Sequence, residues 1–338
     1  MCYMTEKIIE AVKQSYQTLN CTGAALIIYQ NDELKVEQYW GTQSKEENAR
    51  KIQCDTKFHI ASCRKSYVAF AVAYALYNEY FHSLDDEIGG YLPNEKYHPL
   101  YEGVTIRHLV THSHGLNDRS GKIIREFAPG SSWAYRGINV TILSDMLKHT
   151  TGRSIAQILQ EEVFTPLGLT ETNWFNNVDE TFVELIDKET NTHWYAPDNI
   201  DGSLMNMYTT AHEFAKWGQF HLHKGNWKGT QIVAPEIIEL ATTVHSPKFK
   251  DSNLPDNGIF WYVKGSEATR SEIGEAVPYG AYQILGYTTV TLLVIPSENI
   301  VAVRMFNSFG SPEGYDYLRD VKDFGNAIME SIKVKVEI

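Results

Sequence analysis

Phe58-His59-Ile60-Ala61-Ser62-Cys63-Arg64-Lys65-Ser66 runs without a break into Tyr67–Tyr77, a stretch that is apolar on every side. A helix with no polar face is buried at the centre of a domain, so the sequence predicts a core helix with Ser62 and Lys65 in its first turn. A spacing of three puts both side chains on one helix face. A serine hydroxyl attacks a carbonyl only after a base takes its proton. A lysine is that base only when burial lowers its pKa, and the apolar helix supplies the burial. The start of the helix adds free backbone N–H groups and a positive dipole end, which favour a developing oxyanion. The plainer reading is that Ser62 is a helix cap, since S-x-x-K recurs by chance.

Around this stretch the patterns alternate. Residues 5–19 read as a helix with a stripe of Ile8, Ile9, Val12, Tyr16 and Leu19. Ala24–Gln30 and Leu34–Trp40 read as a hairpin closed by Asn31-Asp32. Residues 42–55 are polar and read as loop. Helices are expected at Thr105–Thr111, Asn139–His149, Ile155–Phe164 and Thr209–His223, with Thr209 or Thr210 as a cap. Ile259–Val263, Tyr279–Leu285, Thr288–Ile295 and Ile300–Phe306 read as strands, and Tyr315–Ile332 as a closing helix. Strands at both ends with helices between predict an α+β fold: a central antiparallel sheet, terminal helices on one face, and a mostly helical insert. The division expected is 1–75 with 235–338 as the sheet domain and 76–234 as the helical domain, with the active site between them.

The 338 residues carry 30 Lys+Arg against 42 Asp+Glu, a net charge of −12. No basic block stands out, which argues against a nucleic-acid partner. No apolar run reaches the ~20 residues of a membrane span, and the N-terminal residues lack a signal pattern, so a cytoplasmic location is expected. Cys2, Cys21, Cys54 and Cys63 show no C-x-x-C spacing and read as free thiols. His112/His114 and His221/His223 are two apart, a spacing that does not converge on a helix, so no metal site is expected. No G-x-S-x-G and no glycine-rich phosphate loop occurs, and no cofactor is implied.

The opening stretch resembles the nucleophile segment of the serine β-lactamase and penicillin-binding-protein superfamily, in its class C-like branch. Further segments are similar in the same order: Leu84-Asp85-Asp86 before Tyr91-Leu92-Pro93, Thr105–Leu116, Pro129-Gly130-Ser131-Ser132-Trp133-Ala134-Tyr135, Pro166-Leu167-Gly168-Leu169 with Thr172, Ala211–Gly225, and Leu293-Val294-Ile295-Pro296. The resemblance spans roughly residues 20–330. It implies a β-lactamase-like fold and an acyl-enzyme formed on Ser62, with Lys65 as activating amine and Tyr135 as a second proton-transfer group whose pKa a lysine ammonium depresses. Three positions depart from the pattern. Tyr135-Arg136-Gly137 stands where the branch reads Tyr-x-Asn, with Asn139 two residues on. Tyr279-Gly280-Ala281-Tyr282-Gln283-Ile284-Leu285-Gly286 contains no Lys-Thr-Gly. His114 stands where serine is usual. Gly137, Asn139, Ala281, Tyr282 and Gln283 are therefore the expected substrate and oxyanion region, with a backbone N–H near Tyr282 or Gln283 completing the hole. A small ester or amide is the expected substrate. The alternatives are D-alanyl peptidase, penicillin-binding or β-lactamase activity, and a non-catalytic binding protein on the same scaffold.

Overall fold

The computed structural model describes residues 2–187 and 193–333. Its main sheet holds six antiparallel strands: β1 Gly23–Gln30, β2 Glu33–Gly41, β3 Tyr262–Val263, β4 Tyr282–Gly286, β5 Val290–Ile295 and β6 Ile300–Phe306. Their spatial order is β3-β4-β5-β6-β1-β2. The two β-rich ends of the chain thus meet, with Ala24 opposite Phe306 and Gln30 opposite Ile300. Asn31 and Asp32 close the first hairpin with φ of +51° and +61°, the two-residue turn whose twist matches its strands.

Alternation along β1 decides what covers each face. Ala24, Leu26 and Ile28 pack with Ile8 and Val12 of α1 (Cys2–Thr18) and Val321, Phe324 and Ile328 of α6 (Tyr317–Lys333). Ala25 and Ile27 belong to the opposite core, with Val301, Val303, Leu292 and Trp217. On the terminal-helix side, buried Arg304 of β6 pairs with Asp320 of α6 at 2.6 Å, flanked by the rings of Phe306 and Phe324.

Helix α2 (Lys65–Tyr77) is buried from Lys65 to Ala73 and again at Ala75. It packs against α3 (Ile138–Thr151), the Ile155–Leu159 helix and α5 (Pro235–Thr242), while α4 (Ala211–Leu222) lies across β1, β5 and β6. The strand expected at Ile259–Val263 shrinks to Tyr262–Val263, and the helix expected at Ile155–Phe164 is α-helical only to Leu159, with a π turn over Gln160–Phe164. Further boundaries also differ from the sequence pattern. Ser62 lies in a separate 3₁₀ turn, Ala61–Arg64, and the α-helix begins at Lys65. Met207–Thr210 is a short strand between Lys57–His59 and Asn173–Trp174, so the following helix starts at Ala211, where Thr210 Oγ1 accepts from Glu213 N–H. The strand expected from Tyr279 begins at Tyr282, because Ala281 N–H closes a turn onto Pro278 O and Gly280 sits at φ +83°. Between Lys57 and Gln231 lie several small sheets, including the hairpin Leu116–Arg119 with Lys122–Arg125. Cys21, Cys54 and Cys63 are free thiols. Among the described residues, no helix is long and apolar enough to cross a membrane.

Candidate active site

The turn that carries Ser62 is stitched to distant parts of the chain. Ile60 N–H donates to Met207 O at 3.1 Å, Thr288 Oγ1 to His59 O at 2.8 Å, and Cys63 Sγ to Val290 O at 3.4 Å. Ser66 Oγ donates to Cys63 O at 2.8 Å and in turn accepts from Trp217 Nε1 at 2.9 Å. Within this frame Ala61 is held at φ +47°, a left-handed conformation costing roughly 1–2 kcal/mol in a residue with a Cβ. Such strain persists where the surroundings over-determine it. Ala61, Cys63, Arg64 and Lys65 are buried, and Ser62 between them is partly exposed.

Lys65, Ser62 and Tyr135 converge. Lys65 Nζ lies 3.1 Å from Ser62 Oγ and 2.8 Å from Tyr135 OH, and 4.5 Å from the centre of the Tyr135 ring. Lys65 is 3% exposed. Burial pushes its pKa well below the ordinary lysine value, and the neighbouring Arg64 guanidinium pushes it further down. Burial pushes the Tyr135 hydroxyl up, opposed by its hydrogen bond with Ser62 and by the charge of Arg64. Burial thus acts on the two groups in opposite directions, favouring the neutral amine at Lys65 and the protonated phenol at Tyr135.

Tyr135 is set by its loop. Ala134 N–H donates to His112 O at 3.0 Å, Trp133 Nε1 to Asn257 Oδ1 at 2.9 Å, and Arg136 bridges Tyr135 O and Glu126. The imidazole of His112 stacks on the Tyr135 ring with centroids 4.4 Å apart. Asn139 Nδ2 lies 3.2 Å from His112 Nδ1 and donates to Leu109 O at 2.9 Å. Asn139 thus supports the ring behind Tyr135. The sequence singled out His112 only as a possible metal ligand; its packing role had no signal in residue spacing. Among the described residues, no cluster of three or more His, Cys, Asp or Glu is arranged to hold a metal.

Gly137 is the exposed cap of α3, at φ −78°, with open space where a Cβ would stand. Ala281, Tyr282 and Gln283 are engaged in the sheet. Ala281 O accepts from Lys264 N–H at 2.8 Å, Tyr282 lies between Val263 and Val294, and Gln283 lies between Tyr262 and Leu293. The Gln283 side chain donates to Glu272 O at 3.0 Å. Edge groups alternate along an antiparallel strand. Ala281 and Gln283 turn theirs towards β3, so Leu285 turns its N–H to the same edge, beyond the end of β3. This end of β4 packs on the Ser62 turn: a Cβ on Gly286 would stand 2.3 Å from Ile60 O. By this alternation Leu285 is the next residue after Gln283 whose backbone faces that edge.

The fold and the sequence both have known counterparts. The model of the Beta-lactamase family matches residues 8–325. An uncharacterised protein of Alkalihalophilus pseudofirmus is 47% identical over 324 residues, covering 96% of this chain and 95% of its own. The D-alanine carboxypeptidase AmpC of Burkholderia cenocepacia superposes with a TM-score of 0.77 at 16% identity, covering 97% of this chain and 99% of that one. EstCE1, a hydrolase with promiscuous acyltransferase activity, superposes with a TM-score of 0.71 at 16% identity, covering 95% and 98%. The structural likenesses establish the β-lactamase-like fold, and the match over nearly the whole sequence establishes the lineage: the chain belongs to the Beta-lactamase family.

Proposed function

We propose that the protein is a serine hydrolase that cleaves a small ester or amide through an acyl-enzyme. The observation that carries this reading is the buried Lys65 amine within hydrogen-bond reach of both Ser62 Oγ and Tyr135 OH. Ser62 donates its proton to the Lys65 lone pair as Oγ forms a bond to the substrate carbonyl carbon. The carbonyl π electrons move to oxygen, where the N–H groups of Ser62 and Leu285 receive the charge. The carbonyl re-forms, the bond to the leaving group breaks, and the proton held by Lys65 passes to the departing atom by way of the Tyr135 hydroxyl. Water then attacks the acyl carbon, gives its proton to Lys65, and Oγ leaves and recovers it. On this reading the site lies between a sheet part, 1–75 with 235–338, and a mostly helical part, 76–234.

Esters are favoured over peptides and β-lactams because Gly137 offers no side chain to hold a substrate amide. The test is turnover of p-nitrophenyl acetate by the native protein and by Ser62→Ala. Loss of turnover in the variant, with an acetyl adduct mapped to Ser62 in the native protein, supports the reading; unchanged turnover refutes it. A stable penicillin adduct on Ser62 by intact mass would move the substrate to the β-lactam and D-alanyl peptide class. A folded protein that neither turns over esters nor takes a fluorophosphonate label would be a binding protein on this scaffold.

A further inference from the structure

Five cationic side chains are buried among the described residues: Lys57, Arg64, Lys65, Lys264 and Arg304. Three have a carboxylate. Lys57 pairs with Glu171 at 2.5 Å, Lys264 with Glu267 at 3.7 Å, and Arg304 with Asp320 at 2.6 Å. The other two are adjacent in sequence, two and three residues after the candidate nucleophile. Lys65 has a part in the proposed proton relay, where burial pushing its pKa well down is useful. Arg64 has no such part. It is 5% exposed, and its Nε and Nη1 are buried without a hydrogen-bond partner. Burial brings its pKa down to about 10, which leaves it charged at neutral pH, and the groups that act on that charge are the phenols of Tyr135 and Tyr195 rather than carboxylates.

An isolated buried charge is among the most expensive features a fold can hold. Here it stands two residues from Ser62. In a 3₁₀ turn residues three apart eclipse, so Arg64 leaves the turn about a third of a revolution from the face shared by Ser62 and Lys65. It enters the region bounded by Tyr135, Tyr195 and His59, whose ring lies 6.1 Å from that of Tyr195. A planar guanidinium whose Nε and Nη1 are buried and unpartnered suits a carboxylate well, since Arg–carboxylate contacts are charge-assisted and often bidentate.

We propose that Arg64 is a substrate-binding residue, receiving a carboxylate carried by the ester or amide that Ser62 attacks. The inference rests on the Ser62 reading and narrows it to monoanionic substrates. The test compares p-nitrophenyl hydrogen glutarate with p-nitrophenyl valerate, which match in length and differ in the acyl-side carboxylate. A second pair, 4-acetoxybenzoate and its methyl ester, places the anion on the leaving group. The native protein is expected to favour the anionic member of one pair by about tenfold or more in kcat/KM, as a charge-assisted bidentate contact provides. In Arg64→Met that ratio falls to about one; in Arg64→Lys, which keeps the charge and loses the fork, it is intermediate. No preference in the native protein, or a preference that survives in Arg64→Met, overturns the proposal. A change that lowers the rates of both members equally assigns Arg64 to tuning Lys65 alone and also overturns it. Calorimetric binding of p-nitrophenyl hydrogen glutarate to Ser62→Ala and to Ser62→Ala/Arg64→Met separates the two layers. If no ester is turned over, the hydrolase reading fails, and equal affinity of the two variants then overturns the Arg64 assignment independently. A far-UV spectrum and a melting curve establish that each variant is folded.

Discussion

Gly286→Ala should damage the candidate site through one steric contact. An added Cβ would stand 2.3 Å from the carbonyl oxygen of Ile60, 3.2 Å from its carbonyl carbon and 3.3 Å from Cys63 Sγ. The oxygen is backbone and cannot rotate aside, so the strand must retreat by about 0.7 Å to reach even 3.0 Å. Gly286 has an ordinary negative φ, being absent from the positive-φ glycines, so the effect is steric and not conformational. On the proposed reading, the retreating end of β4 carries the Leu285 N–H that helps to hold the oxyanion. Misplacement by about 1 Å is worth roughly 100-fold in rate where catalysis depends on positioning, and overpacking costs about 1–3 kcal/mol. The assay is p-nitrophenyl acetate turnover beside a urea unfolding curve. Gly137→Ala is the matched control, since its Cβ meets nothing within 4 Å and its φ is −78°; its stability should stay within about 0.5 kcal/mol of native. A Gly286→Ala protein that keeps kcat/KM within about threefold would refute the claim that this contact sets the distance between strand and nucleophile.

Three further perturbations have defined directions. The kcat/KM profile should rise with pH at values below the ordinary lysine range, because the neutral Lys65 amine is the working form; Arg64→Met removes a like charge, so the rising limb should move to higher pH. Glu272 is pushed by burial from 4.5 up to about 7, so the folded state holds a proton that the unfolded chain releases; the stability this group contributes should be full below pH 4.5 and be lost as pH rises to about 7, by up to about 3 kcal/mol, and Glu272→Gln should remove that component in urea titrations. Burial raises the Asp320 carboxyl, but the Arg304 charge and the hydrogen bonds from Ser15 and Arg304 outweigh it and hold it below 3.8; Asp320→Ala should cost about 3–5 kcal/mol near neutral pH, and the native contribution should vanish as pH falls through the lowered value.

The core helix and the strands β5 and β6 were legible as continuous apolar runs, and the hairpin of β1 and β2 and both terminal helices by their apolar spacing and turn residues. So was the Ser62–Lys65–Tyr135 set, through motif order along the chain. What stayed hidden depends on pairing across distant segments. Met207–Thr210 is a strand because Lys57–His59 and Asn173–Trp174 flank it, and nothing within its four residues says so. Which backbone groups of β4 meet β3 is set by the pairing of Tyr262 with Gln283 and of Val263 with Tyr282; a side chain carries no mark of which edge its own amide faces. The upward push on the Tyr135 hydroxyl follows from burial, which a composition cannot report. Arg64 drew no notice because a charge near a helix start looks solvated until its surroundings are seen.

The seam between residues 59–63 and the far hairpin has a consequence for when activity first appears. The bonds from Thr288 to His59 and from Cys63 to Val290 join segments synthesised more than two hundred positions apart. On the proposed reading, a growing polypeptide that has emerged only through α5 holds Ser62 without the strands that fix its turn, and so is born inert. Covalent labelling at that hydroxyl would then report the finished molecule and serve as a clock for the last step of folding.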